Sequence, residues 1–178
     1  MVKQKTIAVV LLYFPDSESL ISNISSYCFE VDKVVLWRNS VICDKLKLEL
    51  ERIAQKENIQ WMGNGINHGI GYALNKVAEW GLSNGYTHML TMDQDSYFPN
   101  DLFFRAARMF SEKDIAIISP QHKRIKAESG SNIEYTFKEV FIMTSGNIVN
   151  LDVWNEIGGF NELFFIDEVD HEFCLRAK

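Results

Sequence analysis

No stretch of this sequence comes near the roughly 20 consecutive apolar residues that a membrane-spanning helix needs. The apolar run from Ile7 to Phe14 is brief, and Pro15-Asp16-Ser17-Glu18 ends it without the small-residue pattern of a cleaved secretory signal. A soluble chain is expected, with peripheral membrane association left open. Cysteine is scarce: Cys28, Cys43 and Cys174 form no Cys-x-x-Cys pair and leave an odd count, which speaks for a reducing compartment. Basic residues are outnumbered, 18 Lys and Arg against 24 Asp and Glu, for a formal net charge of −6. That balance argues against a protein that reads a nucleic-acid backbone, while leaving room for local phosphate pockets. The histidines His68, His88, His122 and His171 lack the spacing of a zinc site. Internal repeats and low-complexity tracts are absent too. What is present is apolar: 47% of 178 residues fall in the hydrophobic set and 12% are aromatic, enough for one domain with a sizeable core.

The order of patterns along the chain predicts an α/β fold. Ile7 to Phe14 reads as a strand buried on both faces. Ser17 is placed to cap a helix carrying Leu20, Ile21, Ile24, Tyr27 and Cys28. Val31 to Trp37 gives a second strand, followed by a charged helix with Leu46, Leu50 and Ile53 on one side. Ile59 to Met62 is a short third strand, and the Gly63 to Gly71 loop opens a helix with Leu74, Val77 and Ala78. His88 to Met92 is a fourth strand running directly into Asp93. A helix after Pro99, a strand over 115–118, a polar excursion over 123–132, a strand over 137–144, a short helix over 152–157 and a helix opening at Val169 complete the reading. Strands alternating with helices predict a mostly parallel central sheet with helices on both faces.

Three segments are rich in groups that do chemistry. Asp93-Gln94-Asp95-Ser96 follows a strand, and ligands of open α/β sheets gather outside the carboxyl ends of strands. Two carboxylates one residue apart can hold a hard divalent cation, which in turn neutralises phosphate charge. The plainer reading is a polar turn, and Phe98 stands where an EF-hand loop needs Gly. The second segment, Gly63 to Gly71, offers close backbone approach and a helix start suited to phosphate, but it matches neither the dinucleotide fingerprint nor the P-loop. A simple mobile loop reads equally well. The third runs from Gly158-Gly159-Phe160-Asn161-Glu162 to Asp167-Glu168-Val169-Asp170-His171-Glu172. An aspartate there can accept a proton, or the acidity can merely complement a helix dipole. Ser145-Gly146-Asn147 is a polar turn that either meets an acceptor or caps the chain locally.

Taken in order, Asn67-His68-Gly69-Ile70-Gly71-Tyr72-Ala73-Leu74-Asn75, Thr91-Met92-Asp93-Gln94-Asp95-Ser96, Thr144-Ser145-Gly146-Asn147, Ile157 to Glu162, and Phe165 to Arg176 resemble the family 2 glycosyltransferases, above all the rhamnosyltransferase-like branch. The resemblance covers essentially the whole chain, and the final Asp/Glu/Arg segment is its most specific part. It implies a GT-A fold, a Rossmann-like single domain over residues 1–178 that binds a nucleotide-diphosphate sugar, commonly with Mg²⁺ or Mn²⁺, and inverts the anomeric centre. It further implies that the loop at Phe14 and the strand end at Asn39 cradle the nucleoside, and that Asn67 and Gly69 shape the donor pocket. Asp93 would contact the ribose or sugar, Asp95 would hold the metal, and Asp170 would be the catalytic base. Asp167 is the rival for that role, Glu172 and Arg176 fall on the following acidic and basic positions, and Asn147 lies on the acceptor or supporting side.

The donor implied is dTDP-L-rhamnose and the acceptor a cell-surface polysaccharide or lipid-linked precursor, in the cytoplasm at the inner face of the membrane. Trp37-Arg38-Asn39-Ser40 departs from the usual acidic-polar strand ending of the branch, which bears on base recognition. The chain stops as the helix at Val169 opens, so the C-terminal portion of a full domain is expected to be missing. Two alternatives use the same residues differently. One is a haloacid-dehalogenase-type phosphatase with Asp93 as nucleophile; the other is a nucleotide-sugar-binding domain without catalysis.

Overall fold

The computed structural model describes residues 4–53, 58–110, 115–121 and 141–178. Its strands are β1 (Thr6–Leu12), β2 (Lys33–Arg38), β3 (Ile59–Met62), β4 (His88–Asp93), β5 (Ile117–Ile118) and β6 (Asn147–Asn150). The helices are α1 (Ser17–Ser25), α2 (Asp44–Ile53), α3 (Ile70–Ser83), α4 (Leu102–Ala107), α5 (Leu151–Glu156) and α6 (Val169–Arg176). The sheet order is β3-β2-β1-β4-β6-β5. The β1–β2, β1–β4 and β2–β3 ladders are parallel, whereas β6 runs antiparallel to both β4 and β5. Five strands therefore share one direction, and β6 alone opposes them.

Period-two alternation divides the core between the faces. Ala8, Val10, Leu12, Val34, Leu36, Leu90, Met92 and Ile148 point to one side, where they pack against Leu20 and Ile24 of α1, Leu46 and Leu50 of α2, and Phe104 of α4. Ile7, Val9, Val35, Trp37, Met89 and Val149 point to the other and meet Leu74 and Val77 of α3, Trp154 of α5 and Phe173 of α6. Each fully buried Val, Leu or Ile side chain stabilises the fold by roughly 1.5–3 kcal/mol, so the continuous apolar run of β1 is what two covered faces require. No helix among the described residues is long and apolar enough to cross a membrane.

Several boundaries differ from the pattern-based reading. β1 ends at Leu12, because Tyr13 and Phe14 turn away from the sheet and Phe14 takes φ 43°. Asp16 is the N-cap residue of α1, in place of Ser17. Val31 precedes β2, and β5 is only Ile117–Ile118. The expected excursion over 123–132 lies outside the described residues, as does most of the strand expected over 137–144. Residues 141–144 are not strand. The strand begins at Asn147, after Gly146 (φ 83°) donates its N–H to the Thr91 carbonyl at 2.7 Å and carries the chain across the end of β4. Only Ile148 and Val149 are apolar in β6, one for each core layer, which is too little alternation to announce a strand.

Candidate active site

The carboxyl ends of β1, β2 and β4 lie side by side in parallel register, with Leu11 opposite both Trp37 and Asp93. Tyr13 and Phe14 stand exposed beyond β1, their rings 4.7 Å apart at 72°. Beyond β2, Asn39 and Ser40 are buried. The Asn39 N–H donates to the Leu12 carbonyl at 2.9 Å, and its side-chain Oδ1 accepts from the Trp37 indole at 2.9 Å. An indole N–H only donates, so the oxygen of this amide must face Trp37. At the end of β4 Asp93 is half-buried, and beyond it Asp95 is exposed.

Turn 144–146 joins this edge to α6. Ser145 Oγ accepts the Asp93 N–H at 3.0 Å, and Thr91 Oγ1 donates to the Thr144 carbonyl. Thr144 Oγ1 in turn donates to Asp170 Oδ2 at 3.1 Å, while Asp170 Oδ1 accepts the N–H of His171 at 2.9 Å. Two adjacent hydroxyl residues thus tie Asp170 on α6 to Asp93 on β4. Asp167 is exposed and precedes Glu168, whose φ of 68° turns the chain into the helix. Asn147 is buried in β6 and donates its amide to the Met143 carbonyl, so its side-chain donor is engaged within the turn itself.

The Gly63 to Gly71 loop is fastened at both ends. Arg38 donates to the Gly63 carbonyl at 3.1 Å and 2.5 Å, and the Gly65 N–H returns to the Arg38 carbonyl at 3.1 Å. Asn67 Oδ1 accepts the Gly69 N–H at 3.0 Å. Gly69 (φ 91°) passes so close to the 161–168 segment that a Cβ there would lie 2.8 Å from the Phe165 carbonyl oxygen. The Ile70 N–H already donates to that same carbonyl at 2.9 Å. The helix start expected to favour phosphate therefore has its first donors taken by the chain itself, and Asn67 and Gly69 shape the loop from within.

Glu172 and Arg176 form one unit. The Arg176 guanidinium meets the Glu172 carboxylate at 2.5 and 2.7 Å and donates to the Ile157 and Gly159 carbonyls, both at 2.6 Å. The neighbouring carboxylate pushes the Arg176 pKa up. The same Gly158–Glu162 loop is held from below by buried Asn75, which ends the 67–75 motif but is given no role in the sequence reading. Its Nδ2 donates to the Phe160 carbonyl at 2.9 Å and to Glu162 Oε1 at 2.8 Å. Its Oδ1 accepts from the Phe160 N–H at 2.8 Å and the Trp154 indole at 3.2 Å. A lone polar residue on the apolar face of α3 was the available signal. Burial pushes the Cys174 thiol up, which suits packing in α6 better than nucleophilic attack.

Among the described residues, no group of three or more His, Cys, Asp or Glu side chains is arranged to hold a metal ion. Asp95 and Asp93 still fit a hard cation of the kind held by one or two carboxylates and completed by substrate phosphates and water. Their donors are oxygens, at the sheet edge where such a ligand belongs.

No family model matches the chain. It superposes on the crystal structure of residues 1–349 of TarS from S. aureus in complex with UDP-GlcNAc with a TM-score of 0.71, at 17% identity, covering 98% of this chain and 53% of that one. It superposes on GalNAc-T7 with UDP, GalNAc and Mn²⁺ with a TM-score of 0.74, at 11% identity, covering 98% and 40%. The fold is that of the GT-A glycosyltransferases. In sequence, the chain is 26% identical over 188 residues to a dTDP-rhamnosyl transferase, RfbF, of Shigella flexneri, covering 96% of this chain and 62% of that protein. The resemblance to the rhamnosyltransferase-like branch of family 2 glycosyltransferases is borne out. The chain spans less than two thirds of the length of each of these relatives.

Proposed function

We propose that this chain binds a nucleotide-diphosphate sugar, dTDP-L-rhamnose first among them, and transfers its glycosyl group with inversion to a hydroxyl of a saccharide or lipid-linked acceptor. One observation carries the reading: Thr144 binds the Asp170 carboxylate and the next residue, Ser145, accepts the backbone N–H of Asp93, so the residue read as the base and the residue read as a donor contact are both fastened to one two-residue segment. The nucleoside lies against Tyr13, Phe14 and Asn39, and the diphosphate toward Asp93 and Asp95. Asp95, with Asp93 beside it, would hold Mg²⁺ or Mn²⁺, which supplies neutralisation of charge on the departing diphosphate.

The protein's own part is orientation and proton transfer. An acceptor hydroxyl attacks an acetal-like carbon poorly until its proton can leave. Asp170 orients that hydroxyl and takes the proton late in the attack. Thr144 holds the aspartate in place through the oxygen not bonded to the His171 N–H. With base and leaving group on opposite faces of the sugar, a single displacement inverts the anomeric carbon. The acceptor is a cell-surface polysaccharide precursor, met from the cytoplasmic side.

The test is calorimetry with dTDP-rhamnose, UDP-GlcNAc and GDP-mannose, each with and without Mg²⁺ or Mn²⁺. Metal-dependent preference for dTDP-rhamnose, weakened by Asp95→Ala and retained by Asp170→Asn, supports the reading. Failure of every nucleotide sugar to bind refutes it.

A further inference from the structure

We infer that Gln94, between the two aspartates, is a positioning residue that holds the Tyr13–Phe14 corner ready for the nucleoside. The residue forms a reciprocal pair with a peptide unit of the chain: Gln94 Oε1 accepts the Tyr13 N–H at 2.9 Å, and Gln94 Nε2 donates to the Tyr13 carbonyl at 3.0 Å. Its own backbone is fixed in turn, because buried Asn23 donates from Nδ2 to the Gln94 carbonyl at 3.0 Å. One residue further on, the Phe14 N–H donates to Ser40 Oγ at 2.8 Å. The corner is thereby fastened to the end of β4 through one residue and to the end of β2 through the next.

The corner needs fastening. Phe14 adopts φ 43°, a region that L-residues with bulky side chains seldom occupy, and its ring is 73% exposed. Nothing in its burial explains why this conformation persists; the hydrogen bonds on either side do. Glutamine is the residue type that the geometry calls for. An amide offers both an acceptor and a donor, whereas a carboxylate only accepts and an ammonium only donates. It also adds no charge between Asp93 and Asp95. Gln94 acts through Tyr13, and its effect belongs to the nucleoside end of the donor, independently of the cation.

This inference rests on the nucleotide-sugar reading of the site, and one experiment separates the two. The whole chain and its Gln94→Met and Gln94→Glu variants are titrated calorimetrically with dTDP and UDP, first in EDTA and then with Mn²⁺, with circular dichroism confirming the fold. Gln94→Met keeps the side-chain length and removes both hydrogen bonds; its metal-free dTDP affinity is expected to fall about tenfold. Its gain in affinity on adding Mn²⁺ is expected to match that of the unmodified chain. Gln94→Glu retains the acceptor for Tyr13 but turns an oxygen toward the Tyr13 carbonyl and adds a charge between the two aspartates, so its metal-free affinity falls at least as far, and it carries the test if Gln94→Met does not fold. Metal-free affinity unchanged in the folded variants, or a loss seen only with Mn²⁺, overturns the inference. Failure of the unmodified chain to bind either nucleotide overturns the reading of the site, and the inference with it.

Discussion

Replacing Asn75 measures how firmly the loop leading to Asp170 is built into the core. Its amide makes four hydrogen bonds to the 158–162 loop and α5, and every donor and acceptor it has is used. Asn75→Ala leaves the Phe160 N–H, the Phe160 carbonyl and the Trp154 indole N–H without that partner. Each buried group stranded in this way costs about 1–3 kcal/mol, and water entering the space recovers part of it. A net loss of about 3–5 kcal/mol is expected, a large share of the roughly 5–15 kcal/mol that holds a typical domain together. In urea the midpoint should fall by about 2 M for a slope near 2 kcal/mol per M.

Asn75→Asp probes the same site by charge. It keeps an acceptor for Phe160 and Trp154 but turns an oxygen toward the Phe160 carbonyl and the Glu162 carboxylate, where the amide nitrogen sat at 2.9 and 2.8 Å. It should destabilise at least as much as Asn75→Ala. Adding Glu162→Gln removes one facing charge and supplies a donor, so the double variant should be more stable than Asn75→Asp alone. A loss under about 1 kcal/mol for Asn75→Ala, or no recovery in the double variant, would refute the reasoning.

Three further outcomes follow from the same geometry. Thr144→Val removes the donor to Asp170 Oδ2 and should lower kcat roughly tenfold while leaving donor affinity unchanged, as read by steady-state kinetics in a transfer-competent form. Arg176→Ala should lower stability by about 1–3 kcal/mol through the freed Ile157 and Gly159 carbonyls. Arg176→Lys should recover less than half of that loss in a thermal melt, because an ammonium cannot reproduce the fork. Burial lowers the pKa of His88 below its ordinary 6.5, against a smaller opposing pull from Asp152. Below pH 6.5 the unfolded chain therefore binds more protons at His88 than the folded chain does, and this stability is lost as pH falls. Urea midpoints between pH 7.5 and 5 should drop less for His88→Gln than for the unmodified chain.

What the sequence made legible was whatever depends on near neighbours. The apolar run of β1, the short β3 and the helical spacing of Leu74, Val77 and Ala78 in α3 all declare themselves locally. The strand β6 does not, because Ser145-Gly146-Asn147 reads as a turn and only two apolar residues follow. The acidic segments were visible as candidates, since carboxylates after a strand or at a helix start are recognisable by type. The groups that position them were not. Gln94 meets Tyr13 across 81 residues, Asn75 meets Phe160 across 85, and Thr144 meets Asp170 across 26. Such pairings depend on strand order and crossover, which residue spacing does not encode.

The most direct test of the account is a crystal structure of the chain soaked with dTDP-rhamnose and Mn²⁺, read at the manganese absorption edge. The account predicts an anomalous peak coordinated by Asp95 and the diphosphate, the nucleoside against Tyr13 and Phe14, and space for a hydroxyl between Asp170 and the anomeric carbon. A diphosphate bound away from Asp95, or a sugar whose reacting face is turned from Asp170, would contradict it.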